Sequence, residues 1–385
     1  MCRSCPVVAE DAWVRHDEVP HRPKEARVAD ASPYVVWFED FREEDRARLG
    51  GKNSSLGSMI AAGLPVPPGF AVTTDAYELL RGDPELAAVV RGALSTTDAD
   101  DPHKLRAVSA EIRSAMESHP IPGPVEEAIR SAYAAFSARC GSDAVGVAIR
   151  SSATAEDQPD ASFAGQQDTY LWVRGADSVL EHVRRCWSSV FTDRAIAYRR
   201  AMGYEDHGVS MSVGVQKMVD PRSSGVAFTL NPTTGDRSQV AIDASWGLGE
   251  AVVSGEVTPD NFVVDKVLRC VVERTISDKH VEYRRGENGV EPYPVEDERR
   301  NVPCLSDEEI CAVAMMARRA EKHYGRPQDV EWALDRELPD GENIILLQAR
   351  PETVWSKKPR ESVAHGHYDP MASIVSTLIA PIHKQ

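Results

Sequence analysis

The sequence has no long apolar run, and its few cysteines form no regular framework. No apolar stretch reaches the roughly 18 residues that a membrane span needs, and the first residues lack the apolar core of a signal peptide. The 385 residues include seven cysteines, an odd number, and most are scattered. A small, odd number of scattered cysteines is typical of proteins in a reducing compartment. We therefore expect a cytoplasmic protein that does not span a membrane and has no disulfide framework.

Positive charge is also scarce. Lys and Arg total 44 against 60 Asp and Glu, which gives a formal net charge of -16. Non-specific nucleic-acid binding needs a basic surface, so no nucleic-acid partner is expected. Any phosphate site must be a local patch of positive charge. The length and the 42% hydrophobic content fit a globular protein of two or three domains.

Residues 1–33 are polar and carry no lasting periodicity, so we interpret them as a flexible extension. Within them, Cys2, Cys5, His16 and His21 follow a C-x2-C-x10-H-x4-H spacing. The first spacing is zinc-like, but the loop is shorter than that of a zinc finger. A chance spacing in a disordered tail is the favoured interpretation.

The pattern predicts mixed helix and strand from about Pro33 onward. Residues 75–140 are mostly helical in pattern. The helix over 305–323 begins with a capping box of Ser306 and Glu309. Strand patterns take over from about residue 145, at 145–149, 211–219, 225–230, 240–243, 262–265, 270–273, 330–334 and 344–348.

Gly50-Gly51-Lys52 is the first candidate for chemistry. Glycines let backbone N–H groups approach an anion, and the lysine adds a positive charge. The spacing is not that of a Walker A loop. The competing interpretation is a surface turn with an exposed lysine.

The densest group of small polar residues runs from Arg150 to Thr169. Arg150 ends a buried apolar strand, and hydroxyl side chains follow it at once. Arginine makes bidentate phosphate contacts, and the hydroxyls can donate to phosphate oxygens. Gly165 belongs to a turn that is able to close over a nucleotide. The alternative is a polar surface loop.

The final predicted hairpin contributes Glu331, Gln348 and Arg350. Strand alternation places Ile344, Leu346, Gln348 and Arg350 on one face. If the register brings Glu331 beside Gln348, two oxygen ligands suited to Mg²⁺ converge, and Arg350 lies where it would neutralise phosphoryl charge. The alternative is a surface salt bridge between Glu331 and an arginine. A fourth segment, 246–260, is rich in glycine, but its spacing gives no role to Glu250 or Glu256.

Together these segments resemble a known family over residues 34–356. The motifs are Gly51-Lys52, Gly63-Leu-Pro-Val-Pro-Pro-Gly-Phe70, Arg150-Ser-Ser-Ala-Thr-Ala-Glu-Asp157, Phe163-Ala-Gly-Gln166, Ser224-Gly-Val-Ala-Phe228, Asp329-Val-Glu-Trp332 and Gln348-Ala-Arg-Pro-Glu-Thr353. In this order they are similar to the ATP-binding domain of phosphoenolpyruvate synthase and pyruvate phosphate dikinase, which rifampin phosphotransferases share.

The resemblance implies an α+β, two-lobed, ATP-grasp-like nucleotide-binding fold, with ATP in the cleft. Residues 34–215 would form the N-terminal lobe and 216–356 the C-terminal lobe. Residues 357–385 would be a tail, which is either a docking segment or frayed.

The resemblance also implies roles for particular residues. Lys52 and Arg150 would contact phosphates, and with Arg350, at the reacting phosphate, they form the expected catalytic set. The residues expected to hold Mg²⁺ are Glu331 and Gln348. The other expected ATP contacts are Gly165 and Thr169 in the loop over the phosphates, and Gln216, Met218 and Val219 in the linker beside the adenine.

The sequence departs from the family pattern in its histidines. None of the eleven lies in the Thr-Ser-His or Thr-Cys-His setting of the phosphorylated histidine, and this holds for His365 and His367 too. The expected function is therefore that of an ATP-binding subunit of a split dikinase, similar to phenylphosphate synthase. Such a subunit needs a separate histidine-bearing subunit as its partner. It also needs a small-molecule acceptor, which is expected to be a phenolic hydroxyl. The alternatives are part of a phosphoenolpyruvate synthase or rifampin phosphotransferase, or a nucleotide sensor without turnover.

Overall fold

The computed structural model describes residues 32–97, 101–153, 168–201, 209–253, 255–287 and 289–355. The Cys2, Cys5, His16 and His21 arrangement, Gly165 and the tail 357–385 lie outside these residues. Within the described part of the chain, every helix is too short or too polar to cross a membrane.

The first sheet has five strands, and all of its pairings are antiparallel. The strand order is β1-β2-β5-β3-β4. The strands are β1 (Val35–Trp37), β2 (Gly69–Val72), β3 (Val147–Ala153), β4 (Thr169–Val173) and β5 (Met211–Lys217). Because β3 and β5 lie at or next to the centre, their side chains face the interior of the molecule.

The second sheet has six antiparallel strands, in the order β13-β12-β6-β7-β8-β9. They are β6 (Pro221–Phe228), β7 (Gln239–Trp246), β8 (Asp260–Asp265), β9 (Cys270–Thr275), β12 (Gln328–Asp335) and β13 (Ile344–Pro351). A separate hairpin joins β10 (Val281–Gly286) to β11 (Gly289–Pro294). The chain therefore passes from the first sheet to the second between residues 217 and 221.

Helices cover both sheets. They are α1 (Arg46–Ala61), α2 (Thr74–Arg81), α3 (Pro84–Ser95), α4 (Pro102–Ser118), α5 (Gly123–Arg139), α6 (Ala176–Ser188), α7 (Asp193–Ala201), α8 (Glu250–Val253), α9 (Asp297–Arg300) and α10 (Asp307–Tyr324). Short 3-10 turns occupy Phe38–Asp40, Glu43–Asp45 and Ser189–Phe191.

The predicted pattern matches most of these elements, with two differences. Helices α6 and α7 interrupt the region after residue 145 where strand patterns were predicted to take over. The apolar residues of α6 recur at helical spacing, at Val179, Leu180, Val183 and Trp187, and all are buried. The hairpin of β10 and β11 was not predicted, because β10 is rich in charged residues and β11 contains two prolines.

Two large apolar cores hold the fold together. The first gathers residues of the first sheet and of α2–α6, with Phe70, Phe136 and Trp187 at its centre. The second is built on the second sheet and α10, and it also includes Leu49, Leu56 and Met59 of α1. Helix α1 therefore lies between the sheets and contributes its apolar side chains to the second core.

Two of the cysteines are paired. Cys270 and Cys311 are disulfide-bonded, although no disulfide framework was expected from the sequence. Among the described cysteines, Cys140, Cys186 and Cys304 are free.

Residues 352–385 form a separate unit, of which 352–355 are described. There the Glu352 carboxylate accepts a hydrogen bond from the backbone N–H of Trp355 at 2.7 Å.

Candidate functional site

Helix α1 breaks at Gly50, two residues before Lys52. Gly50 has φ 65° and ψ 175°, a conformation that is essentially restricted to glycine. A Cβ at this position would lie 2.6 Å from the carbonyl oxygen of Ser152, so a side chain would not fit. The helix resumes at once and places Lys52 in its new first turn. Lys52 Nζ then donates to the Ser151 carbonyl oxygen at 3.4 Å.

Arg150 lies on β3 of the first sheet and reaches across to the second. Its side chain is 20% exposed. One terminal nitrogen donates to Glu331 Oε2 at 3.0 Å and to Gln348 Oε1 at 2.9 Å. The other donates to the Leu347 carbonyl oxygen at 3.1 Å. A single guanidinium therefore joins both predicted magnesium ligands.

Glu331 and Gln348 are direct partners on the neighbouring strands β12 and β13. This is the register that the predicted site required. The predicted face of β13 is wrong, however, because the register shifts after Glu331 and leaves Leu347 without a partner on β12. Leu346 consequently packs in the second core, whereas Gln348 lines the cleft. The bulge also exposes the Leu347 carbonyl oxygen that Arg150 contacts.

A small pocket, partly open to solvent, lies between the two sheets. Four predicted site residues line it: Lys52, Arg150, Gln216 and Gln348. Asn53, Leu56, Gly214 and Leu347 complete the lining. Gln216 is 3% exposed, and its amide donates to the Pro67 carbonyl oxygen at 3.2 Å.

The predicted linker residues face two different apolar clusters. Met218 packs with Ala148 and Leu248, and its N–H donates to the Gly146 carbonyl oxygen at 2.9 Å. Val219 packs instead with Ala333 and Ile345. Both residues are buried, so the segment that joins the two sheets has apolar neighbours on each side.

Five of the described site residues lie outside the lining of the pocket. They are Glu331, Met218 and Val219, described above, and Thr169 and Arg350. Thr169 is exposed on β4, where it pairs with Arg150 of β3. Arg350 is 57% exposed, and its Nε lies 3.4 Å from Asp329 Oδ2. Asp329 is opposite Arg350 in the hairpin and two residues before Glu331. Sequence reasoning gave Asp329 no role, although period-two alternation already placed it on the same face as Glu331.

Cys186 lies near Lys52 but is not a reactive thiol. Burial raises the pKa of the Cys186 thiol, the charge of Asp168 raises it further, and the charge of Lys52 opposes both. A buried thiol with a raised pKa is a poor nucleophile.

The donor set of the site fits a hard cation better than a zinc-type metal. In the described part of the chain, no group of three or more His, Cys, Asp or Glu side chains converges. Glu331 and Gln348 instead bring one carboxylate and one amide oxygen to the same guanidinium nitrogen. Few protein oxygens, supplemented by phosphates and water, are what Mg²⁺ usually takes.

Comparison with protein families decides the relationship of the chain. The family described as "Pyruvate phosphate dikinase, AMP/ATP-binding domain" matches residues 46–368. The chain belongs to this family. The predicted resemblance is thereby confirmed, and the α+β fold of this dikinase ATP-binding domain is of the two-lobed, ATP-grasp-like type.

Several relatives are similar over most of the domain. "Probable phosphoenolpyruvate synthase" of Staphylothermus marinus is 44% identical over 365 residues, which is 89% of this chain and 43% of that protein. The protein of the same description from Methanothermobacter thermautotrophicus is 46% identical over 329 residues, 86% of this chain and 47% of its own length. This chain therefore spans less than half the length of either relative.

Similarity to solved structures is weaker. D-alanyl-alanine synthetase A from Vibrio cholerae aligns with 64% of this chain and 54% of its own, at 13% identity and a TM-score of 0.24. That likeness is too low to support any argument about this dikinase domain.

Proposed function

We propose that this chain binds Mg·ATP between its two sheets and donates a phosphoryl group, initially as pyrophosphoryl, to a histidine of a separate subunit. AMP leaves when the histidine attacks the β-phosphorus and the bond between the α- and β-phosphates breaks. Water then takes the terminal phosphoryl group, which leaves as phosphate, and the phosphoryl group that remains on the histidine passes to the acceptor. The observation that carries the proposal is the convergence of Arg150 from the first sheet with Glu331 and Gln348 from the second.

The proposed phosphate contacts are Lys52, Arg150 and Arg350. Lys52 follows a helix break that fixes its backbone, and Arg150 already contacts anionic and polar oxygens. Arg350 is more exposed, at the end of the hairpin, where it is accessible to a second subunit. Phosphoryl transfer is catalysed mainly by positioning and by neutralising charge, which three such cations are suited to do.

Glu331 and Gln348 would hold the Mg²⁺, which when bound helps to neutralise the charge of the phosphates. Arg150 would then exchange its two present partners for phosphate oxygens. Buried Gln216 and the apolar surroundings of Met218 and Val219 support an adenine site at the segment that joins the two sheets. Gly165 and Thr169 remain proposed contacts of the loop over the phosphates.

The acceptor has two candidates. A phenolic hydroxyl is the candidate of the split-enzyme proposal. Pyruvate is the second candidate. It is supported by the relatives, which are described as phosphoenolpyruvate synthases.

Product analysis tests the proposal. The chain is incubated with Mg·ATP and a histidine-bearing candidate subunit, with phenol or with pyruvate, and AMP is separated from ADP. AMP that forms only in the complete mixture supports the dikinase reaction, and the acceptor that is consumed identifies the substrate. Formation of ADP, or stable ATP binding without turnover, would favour a simple kinase or a nucleotide sensor.

The three cations give a first prediction. AMP formation should be abolished in each of Lys52→Ala, Arg150→Ala and Arg350→Ala, and each variant should stay folded. Each substitution removes a positive charge that would stabilise the negative charge of the transferred phosphoryl group. Arg91→Ala, which changes an exposed arginine on α3, is the matched control. Wild-type activity in any of the three variants would disprove the role of that residue.

A further inference from the structure

Ser55 links the helix of Lys52 to the strand of Gln348 and Arg350. It lies one helical turn after Lys52 on α1. Its hydroxyl donates to the Ala349 carbonyl oxygen on β13 at 2.9 Å. Ala349 stands between Gln348 and Arg350, so this bond holds the backbone of the strand between two proposed site residues.

Tyr324 completes the link from a third element. Its hydroxyl lies 2.8 Å from Ser55 Oγ and 3.2 Å from the Ser55 carbonyl oxygen. Because the Ser55 hydroxyl proton is used on Ala349, the single Tyr324 hydroxyl proton is shared between the Oγ and the carbonyl oxygen of Ser55. Burial raises the pKa of Tyr324, so its proton is retained. Tyr324 is the last residue of α10, which ends at Gly325 in a left-handed conformation.

Apolar packing alone would leave the relative position of helix and strand less well defined. Leu56 and Met59 of α1 share the second core with Ala317 and Ala320 of α10. Such contacts are non-directional and tolerate small shifts along the helix. Hydrogen bonds are directional, and their geometry weakens quickly with misalignment. The hydroxyls of Ser55 and Tyr324 therefore fix the register that apolar contacts leave free.

We propose that Ser55 and Tyr324 are positioning residues, which set the distance between Lys52 on α1 and the pair Gln348 and Arg350 on β13. The inference rests on the proposed function, because it takes the roles of these three residues from it. Neither hydroxyl needs to touch the nucleotide. A displacement of about 1 Å in such an arrangement is enough to reduce catalysis substantially.

The test compares Ser55→Ala and Tyr324→Phe with a serine control outside the link. Ser118→Ala removes an exposed hydroxyl on α4 that donates to the Ser114 carbonyl oxygen at 2.8 Å. The affinity for Mg·ATP is measured by calorimetry, and the free energy of unfolding by urea. Loss of one directional hydrogen bond should weaken ATP binding by about threefold to tenfold in Ser55→Ala and Tyr324→Phe. Ser118→Ala should bind as the wild type does, and Ser55→Thr, which keeps the hydroxyl, should retain wild-type affinity.

A double-mutant cycle separates positioning from plain structural support. If Ser55 acts through Lys52, Ser55→Ala should cost little further affinity in a Lys52→Ala background. An undiminished, additive loss in that background would overturn the inference. So would wild-type affinity in Ser55→Ala. If Lys52→Ala itself bound ATP normally, the proposed site would fail and the inference with it, and this outcome is distinguishable because it appears in the single Lys52 variant.

Discussion

At the scale of single residues, the backbone at Gly50 controls the position of Lys52. Its φ of 65° and its closeness to Ser152 both exclude a side chain. Gly63 has a similar φ of 68°, but a Cβ there would meet nothing within 4 Å. A side chain at Gly63 therefore meets no steric clash, whereas a side chain at Gly50 does.

We predict that Gly50→Ala lowers the free energy of unfolding by more than Gly63→Ala does. The conformational penalty alone is about 1–2 kcal/mol, and Gly50→Ala adds the clash with Ser152 and displaces Lys52. Urea unfolding measures the first effect, and ATP affinity measures the second. Equal losses in the two variants would show that the contact with Ser152 is unimportant.

A second prediction concerns Asp335, a buried carboxylate at the end of β12. Burial raises the pKa of Asp335, although the N–H of Glu337 donates to it at 3.0 Å. The folded state therefore binds the Asp335 proton more tightly than the unfolded state does. The free energy of unfolding consequently falls as the pH rises from the unfolded-state pKa of Asp335 to its higher folded-state pKa. Asp335→Asn should be more stable than the wild type at pH 7, and the difference should shrink towards pH 3.

Denaturant unfolding at both pH values checks this prediction, with the exposed Glu342→Gln as control. A gain in Asp335→Asn that was the same at both pH values would contradict the assignment to ionisation.

The sequence identified single residues well where their chemistry was local. Lys52, Arg150 and Gln348, and also Gln216, which entered only through the family resemblance, meet at one pocket, although their roles remain predictions. The link between Ser55 and Tyr324 was not predictable in this way. It joins positions that are 269 residues apart, and periodicity shows which face a residue occupies without showing which distant hydroxyl it meets.

At the scale of elements, local signals predicted α10 best. The Ser306 hydroxyl accepts from the Glu309 N–H at 3.2 Å, and the Glu309 carboxylate accepts from the Ser306 N–H at 2.8 Å. This capping box was evident in the sequence because both partners are three residues apart. The bulge at Leu347 was not evident, because it depends on how two strands pair.

The capping box gives a prediction for α10. Ser306→Ala should lower the free energy of unfolding by about 1 kcal/mol, because N–H groups of the first turn lose their acceptor. Ser306→Thr keeps the hydroxyl and should stay close to the wild type. Urea unfolding of both variants is the measurement, and an unchanged Ser306→Ala would show that water satisfies the helix end equally well.

At the scale of the whole molecule, ligand binding and stability are linked, since the pocket is lined from both sheets. ATP at about 100 times its dissociation constant should raise the free energy of unfolding by about 2.7 kcal/mol. Arg150→Ala should show much less of this gain at the same ATP concentration. Thermal or urea unfolding with and without Mg·ATP makes the measurement. Equal stabilisation of both proteins would place the nucleotide away from Arg150.

The position of α1 has a consequence for any attempt to divide the protein. Its residues precede the first sheet's central strands in the chain, yet Leu49, Leu56 and Met59 belong to the core of the second sheet. A gene fragment ending near residue 215 would leave this helix with an exposed apolar face, and the complementary fragment would lack part of its interior. Both pieces should aggregate when expressed alone. Their recovery as a soluble complex would require co-expression.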